Sequence, residues 1–491
     1  MTTLLSQCPG GPEYEGPRVR ADAITYPRQR RLLGWDARTD VRRTGLREYA
    51  RPGKGFDLLV RAYPVPKFDS PAVSDWRAFY AGRYRSFRLL ALAQGFIGAL
   101  TGPAITIPLL LALGAHPAIA TAVAVLPAAG TMSQRWLPAM LDRTEGNLRG
   151  IVILFATIGE PRGFLLAGVV GAAALGWLPA WAAIALIGLV IGPLGALGAI
   201  SSSLQQSWYQ IILPDEERRL VAPRLGGITL GIGSVVLLPI AFGIDAAVES
   251  IGLWAYALPL LVGGIAGIVP LVILRQLPAP GRIRVPRRRA WTGDEQARLE
   301  RHGNVMTLAL LSAGLSPFLS VYAISVLHTG AGFAIALSAV SSGVLVLASL
   351  YVSSHLRGGS STLLLRRSFV LRGVALFIGL TAHPANPLAP AILVVVAVLM
   401  AMGDTAGQLA ANERLFRLAT GPGVLAFQSH FVVRNVGAYS GGITAASLVM
   451  LLGGYPAFAF LFVAAGVGRF AAARATGTEP RQLPIAEPAA A

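Results

Sequence analysis

Between residues 89 and 470 the chain is a series of long apolar runs whose connections alternate in charge: one turn has no Lys or Arg, the next has several. This alternation limits the fold more than any other feature of the sequence. A helix needs about 20 mostly apolar residues to cross a bilayer core, and stretches such as 184–200 and 391–402 hold no ionisable group. Only 13% of the residues are charged, about half the share in an ordinary soluble domain, and the mean hydropathy is +0.59. The pattern predicts an all-α polytopic membrane protein with the lipid bilayer as its first partner. Crossings are expected near 89–112, 118–138, 150–175, 180–211, 225–244, 251–274, 303–327, 331–353, 364–382, 388–411, 426–451 and 454–473.

Charge placement then orients the chain. The turns near His116, Trp177, Asp245, His328, Pro384 and Gly453 contain no Lys or Arg. The intervening ones hold Arg143 and Arg149, Arg218 and Arg219, eight Arg between 275 and 301, Arg357 with Arg366 and Arg367, and Arg414 with Arg417. By the positive-inside rule both termini and the central loop are cytoplasmic, with the protein in a plasma or inner membrane. The net charge of +18 does not point to nucleic acid. Of 42 Lys and Arg residues, 17 precede residue 89 and the central group adds eight, whereas a nucleic-acid binder spreads such charge over one folded face. The single cysteine, Cys8, excludes an intrachain disulfide. No short basic-then-apolar leader opens the chain, so the first crossing is expected to direct insertion itself. Residues 1–86, rich in Pro, Gly and charge, read as a cytoplasmic and largely disordered tail. Within it, 76–88 fits either an amphipathic surface helix or a plain basic flank.

The chain also repeats itself. Arg162-Gly163 recurs as Arg372-Gly373, and Arg224, Gly227, Gly231 and Gly243 recur as Arg434, Gly437, Gly441 and Gly453, all at an offset of 210. Glycine matches come easily among 56 glycines, but arginines inside apolar sequence are rare. The implied plan is twelve transmembrane helices in two pseudo-symmetric six-helix bundles, 87–275 and 303–475. A basic cytoplasmic linker, 276–302, joins them, and 476–491 forms a cytoplasmic tail. Parallel halves of this kind hold a binding site near the midplane between them.

This plan resembles the major facilitator superfamily of transporters, and two turns carry the local likeness. In LPAMLDRTEGNLRG, Asp142, Arg143, Gly146 and Arg149 match the family's turn between helices two and three, with Pro138 in place of its leading Gly and one extra residue before Gly146. In QQSWYQIILPDEERRLVAPR, Pro214, Glu217, Arg218, Arg219 and Arg224 match its Pro–acidic–Arg-Arg turn after helix four. The resemblance covers roughly residues 87–475. It implies a secondary transporter moving a small solute by alternating access, coupled to protons, as a monomer without a cofactor. It also implies a latch in which Asp142 meets a group on helix eleven, here Arg434, when the cytoplasmic side is shut. Asp142 can additionally cap the next helix. A glycine-rich fifth helix (Gly227, Gly231, Gly233, Pro239, Gly243) loosely resembles an exporter motif, which points to efflux.

Ionisable groups within a crossing cost about 2.5–3.5 kcal/mol each on insertion scales, so each needs a reason. Glu160 and Arg162, two residues apart beside a proline, are expected either to pair with one another or to line water. Asp404, followed along its helix by Thr405, Gln408 and Asn412, can bind a cationic group or carry a coupled proton. The plainer alternative is a structural carboxylate paired to Arg434 or Arg414. Gln205, Gln206 and Tyr209, with Ser203, Ser207 and Gln210, crowd the end of helix four and cannot face lipid cheaply. Gln94 on helix one, and Ser316, Ser320 and Tyr322 on helix seven, complete the expected cavity set; small-residue packing equally explains the serines.

Other activities lack their signatures. His116, His328 and His383 sit in separate turns without metal-ligand spacing, so no metal site is expected. A membrane transferase would need paired acids, a His with an Asp, or a nucleophile with its base. No His-x-x-x-x-Asp, Gly-x-Ser-x-Gly or His-Glu-x-x-His spacing is present. A non-transporting sensor or scaffold on the same fold remains the other alternative.

Overall fold

A computed structural model describes residues 85–144, 147–212, 215–277, 293–316, 318–355, 361–418 and 422–477. All twelve expected crossings are present as helices. In the first half, α1 runs as Arg85–Thr101 and Pro103–Ala112, and α2 as Pro117–Gly130, a 3-10 stretch Thr131–Trp136, and Leu137–Arg143. Helix α3 comprises Leu148–Gly159 and Arg162–Ala174; α4 is Ala180–Ile212, α5 is Asp215–Ile251, and α6 comprises Trp254–Ala266 and Val269–Gln276. In the second half, α7 comprises Gly293–Leu315 and Leu319–Ser325, followed by α8 (Ala331–His355) and α9 (Ser361–Gly379). The last three are α10 (Ala389–Leu418), α11 (Pro422–Met450) and α12 (Gly454–Gly477). Among the described residues nine helices are long and apolar enough to cross a membrane. The other three are α2, α9 and α11: α2 is cut short, and α9 carries Arg366, Arg367 and Arg372.

Proline explains the interruptions. The gaps in α1, α3, α6 and α7 fall beside Pro103, Pro161, Pro270 and Pro317, and the last piece of α2 begins one residue before Pro138. A proline removes one backbone donor and crowds the preceding turn. Pro108, Pro193 and Pro259 are nevertheless carried inside continuous helix. Helix α7 begins at Gly293, within the range expected of the linker. Residues 1–84 and 478–491 of the tails expected at 1–86 and 476–491, residues 278–292 of the expected linker, and Gly146 and Pro214 of the motif turns lie outside the described residues.

The repeat offset reappears as packing. Gly163 of α3 lets the α6 backbone at Leu260 and Gly264 come close, and Gly373 of α9 leaves room for the Phe470 ring of α12. Both members of that contact are 210 residues apart. Beside them, Arg162 lies against Gly198 of α4, while Arg372 lies against Gly403 and Gly407 of α10.

The Lys/Arg-free turns share one end of the molecule, and apolar contacts between the halves seal it. Ile107 of α1 and Ala118 of α2 share a core with Val321, Tyr322 and Val326 of α7, Leu337 of α8 and Met450 of α11. Leu237, Ala241 and Ile244 of α5 pack with Ile335 and Ala339 of α8 and Leu109 of α1. At the rim, the carboxylate of Asp245, on α5, accepts the Gly332 N–H in the first turn of α8 (3.1 and 3.2 Å to its two oxygens). The fifth-helix glycines have a packing reason: Gly227, Gly231 and Gly233 seat Ser349, Val346 and Ser342 of α8.

Candidate functional site

A charged cluster occupies the middle of the second half. Arg372 of α9 reaches across to Asp404 of α10 (Nη1 to Oδ1, 2.5 Å). Its Nε donates to the Ser368 carbonyl at 3.3 Å, and its guanidinium lies 4.9 Å over the Phe369 ring. The notch that receives it is built by glycine. A Cβ at Gly403 would stand 2.5 Å from Arg372 Cγ, and one at Gly407 would stand 2.7 Å from Nη2. Arg469 of α12, 3% exposed, lies within electrostatic reach of Arg372, Asp404 and Tyr439 of α11. Its Nη1 donates to the Ala309 carbonyl of α7 at 3.0 Å, and its Nε has no hydrogen-bond partner. Arg372, 8% exposed, is the buried member of the pair, and a buried charge is costly to leave unpaired.

Asp404 itself keeps 49% of its side chain open. The apolar exposed face of α10 carries Val395 and Met402. At 3.6 residues per turn, Asp404 is about 200° around from Met402, and Gln408 lies one turn further on the Asp404 side. Both are exposed. The open polar face therefore points away from the lipid-facing one. The partner of Asp404 is Arg372 rather than Arg434 or Arg414. The sequence singled out Arg372 only as half of the repeat, and Arg469 and Tyr439 not at all. An Arg between apolar residues in the second half of α12 was the available signal.

Several expected cavity residues have structural duties instead. Gln94 Nε2 donates to Gln205 Oε1 (2.6 Å), Gln205 Nε2 to Ser201 Oγ (3.1 Å), and Ser201 Oγ to the Val152 carbonyl (3.3 Å). That relay ties α1, α4 and α3 together and leaves Gln205 only 1% exposed. Tyr322 is also removed from any cavity. It is fully buried against Phe458 and Phe462, with its hydroxyl donating to the Ala382 carbonyl. Ser316 and Ser320, half-buried, flank the break in α7. The side chains of Gln206, Tyr209 and Asn412 lie outside the described residues.

Glu160, 4% exposed, sits at the break in α3, and Arg162 opens the next piece. Glu160 and Arg162 act on one another electrostatically, without a contact at salt-bridge distance. The Arg162 guanidinium instead accepts the role of satisfying the Gly159 carbonyl, to which its Nη1 donates at 3.1 Å. A carbonyl at a helix break inside the bilayer needs such a donor. The three outer histidines serve their own turns: Nδ1 of His116 accepts from Ala118 N (3.2 Å) and Nδ1 of His383 from Ala385 N (3.1 Å), while His328 takes a positive φ of 52°.

In the turn after α2 the cap of α3 is Asn147, whose side chain accepts from Gly150 N at 2.9 Å. Asp142 lies within the last helical turn before it, so the capping role expected of it belongs to Asn147. Arg149 donates to the Arg275 carbonyl and ties α3 to the end of α6. Arg434 places its guanidinium 4.8 Å over the Phe431 ring and against Gly303.

Solved structures share this arrangement of helices. A POT family transporter crystallised with 5-aminolevulinic acid superposes with a TM-score of 0.60 at 12% identity, over 79% of this chain and 94% of that one. A D-xylose–proton symporter gives 0.60 at 12% identity over 80% and 97%. The nucleoside transporter NupG gives 0.53 at 13% identity over 80% and 97%. The chain has the major facilitator superfamily fold. No family model matches its sequence, and no curated protein sequence does either. Within the major facilitator fold, α1, α2, α5, α7, α8 and α11 supply contacts between halves, and α9 packs on α10 and carries Arg372 to its charged face.

Proposed function

We propose that this protein is a secondary active transporter that moves a small solute by alternating access between its two halves, with Asp404 carrying a coupled proton. The observation that carries the reading is Asp404: an intramembrane carboxylate, half open on a polar face, held by Arg372 in a notch lined by glycine. Ionisable groups are kept inside bilayers chiefly where they serve a pathway or a relay. Among the described residues, Arg372 pairs with Asp404, and Arg469 and Tyr439 lie within its electrostatic reach. The neighbours named above support the transport reading, since a proton symporter, a nucleoside transporter and a POT family transporter share the fold. In this reading both termini and the central loop are cytoplasmic and the protein works as a monomer in a plasma or inner membrane. Asp142 and Arg434 latch the cytoplasmic side when it is shut.

Reconstitution tests it. Proteoliposomes with a pH-sensitive dye inside, challenged with a solute panel, should show solute-dependent proton movement that Asp404→Asn abolishes. Proton flux in no member of a broad panel, or flux unchanged in Asp404→Asn, would sink the coupled-transport reading in favour of a sensor or an uncoupled carrier.

A further inference from the structure

The charged cluster does not balance. Arg372 pairs with the one carboxylate, Asp404, and a second guanidinium, Arg469, lies within electrostatic reach of both; among the described residues the other titratable neighbour is a tyrosine, Tyr439. Arginine does not shed its proton in proteins, so one positive charge is left over inside the bilayer. Charge that is neither paired nor hydrated there is expensive. Arg469 is also short of acceptors: it is buried, its Nη1 is used by the Ala309 carbonyl, and its Nε has no partner. The cluster opens where Asp404 and Gln408 are exposed, and it is closed behind by Phe369 and the two glycines.

We propose that this cluster is the binding site for a small carboxylate-bearing monoanion, with Arg372 and Arg469 as its donors and Asp404 as an internal competitor for them. One surplus charge matches one carboxylate, and the guanidinium fork is the group that pairs with carboxylates in two parallel hydrogen bonds. A cationic solute, which Asp404 in isolation would attract, meets a carboxylate already neutralised at 2.5 Å by Arg372, with a second cation beside it. The proposal rests on the transport reading only in requiring that water and solute reach Asp404. It deepens that reading: a proton on Asp404 and an anion on the arginines would enter together without adding net charge.

The test is equilibrium binding, which needs no transport. The full-length protein in lipid nanodiscs is titrated with sodium acetate, lactate and benzoate, and separately with acetamide, lactamide and benzamide at equal ionic strength, following thermal stability. At least one carboxylate should stabilise the protein where its amide does not. Arg469→Gln should weaken that binding at least tenfold, Arg469→Lys less, and Asp404→Asn should strengthen it severalfold by removing the competitor. Should Arg469→Gln fail to fold, Asp404→Asn still decides, because a merely structural Asp404 gives no gain in anion affinity. Equal stabilisation by amides and carboxylates, or weaker carboxylate binding in Asp404→Asn, overturns the proposal. Carboxylate binding without any solute-linked proton flux would instead remove the transport reading and leave the site.

Discussion

Asp245 is where the two halves are clasped, and removing it should loosen the seal by a predictable amount. Its carboxylate caps α8 from another helix, accepting the Gly332 N–H on both oxygens. Replacing a capping carboxylate with alanine costs about 0.5–2 kcal/mol. Asp245 is exposed, so screening by water puts the effect near the lower end, at about 1 kcal/mol. That energy changes a two-state equilibrium about fivefold. The assay uses a Cys8→Ser background with a single cysteine at Ile335, which is fully buried in the seal. Maleimide labelling should rise about fivefold in Asp245→Ala and stay near the parent in Asp245→Asn, because asparagine caps about as well as aspartate. Unchanged labelling in Asp245→Ala would show that the clasp contributes nothing. Equal rises in both variants would make it a charge effect and refute the capping argument.

Tyr322→Phe should lower thermal stability by about 0.5–1.5 kcal/mol, the worth of one hydrogen bond, while solute affinity stays unchanged; a thermal melt and a binding isotherm check the two halves of this statement. Gly163→Val should fail to give monodisperse protein on size exclusion, because α6 backbone occupies the space its side chain needs. A reporter fused after Arg481 or within 280–300 should report cytoplasmic, and one near Asp245 or His383 exterior; a reversal at either cytoplasmic point removes the orientation. Asp142→Asn and Arg434→Gln should each raise labelling of a cysteine at Gln206 from the cytoplasmic side, and the double variant no further, as expected of two members of one contact. Labelling unchanged in both would remove the latch.

The twelve crossings were legible because each needs a long apolar run, and that requirement is written residue by residue. The repeat was legible through Arg162 and Arg372, since arginine is too costly in a bilayer to recur at one offset by drift. Partners were harder to read. Asp404 stood out as an ionisable residue, but which arginine met it depended on helices 32 and 65 residues away along the chain. Tyr322 and Gln205 were misplaced for a related reason: polarity marks a residue that needs partners, and a buried carbonyl or amide supplies them as well as a water-filled cavity does. Asn147 took the cap expected of Asp142 because capping is decided within one turn of the helix start, and Asn147 is the adjacent residue.

The two ends of the molecule answer to different physical variables. The seal at the Lys/Arg-free end is made of Ile107, Val321, Ile335, Leu337 and their neighbours, so opening it to water carries a positive heat-capacity change and grows easier on cooling. The opposite end is lined by arginines, whose contacts weaken with ionic strength over a screening length of about 10 Å at 0.1 M salt. Temperature therefore acts on the apolar seal, and salt on the charges of the opposite end.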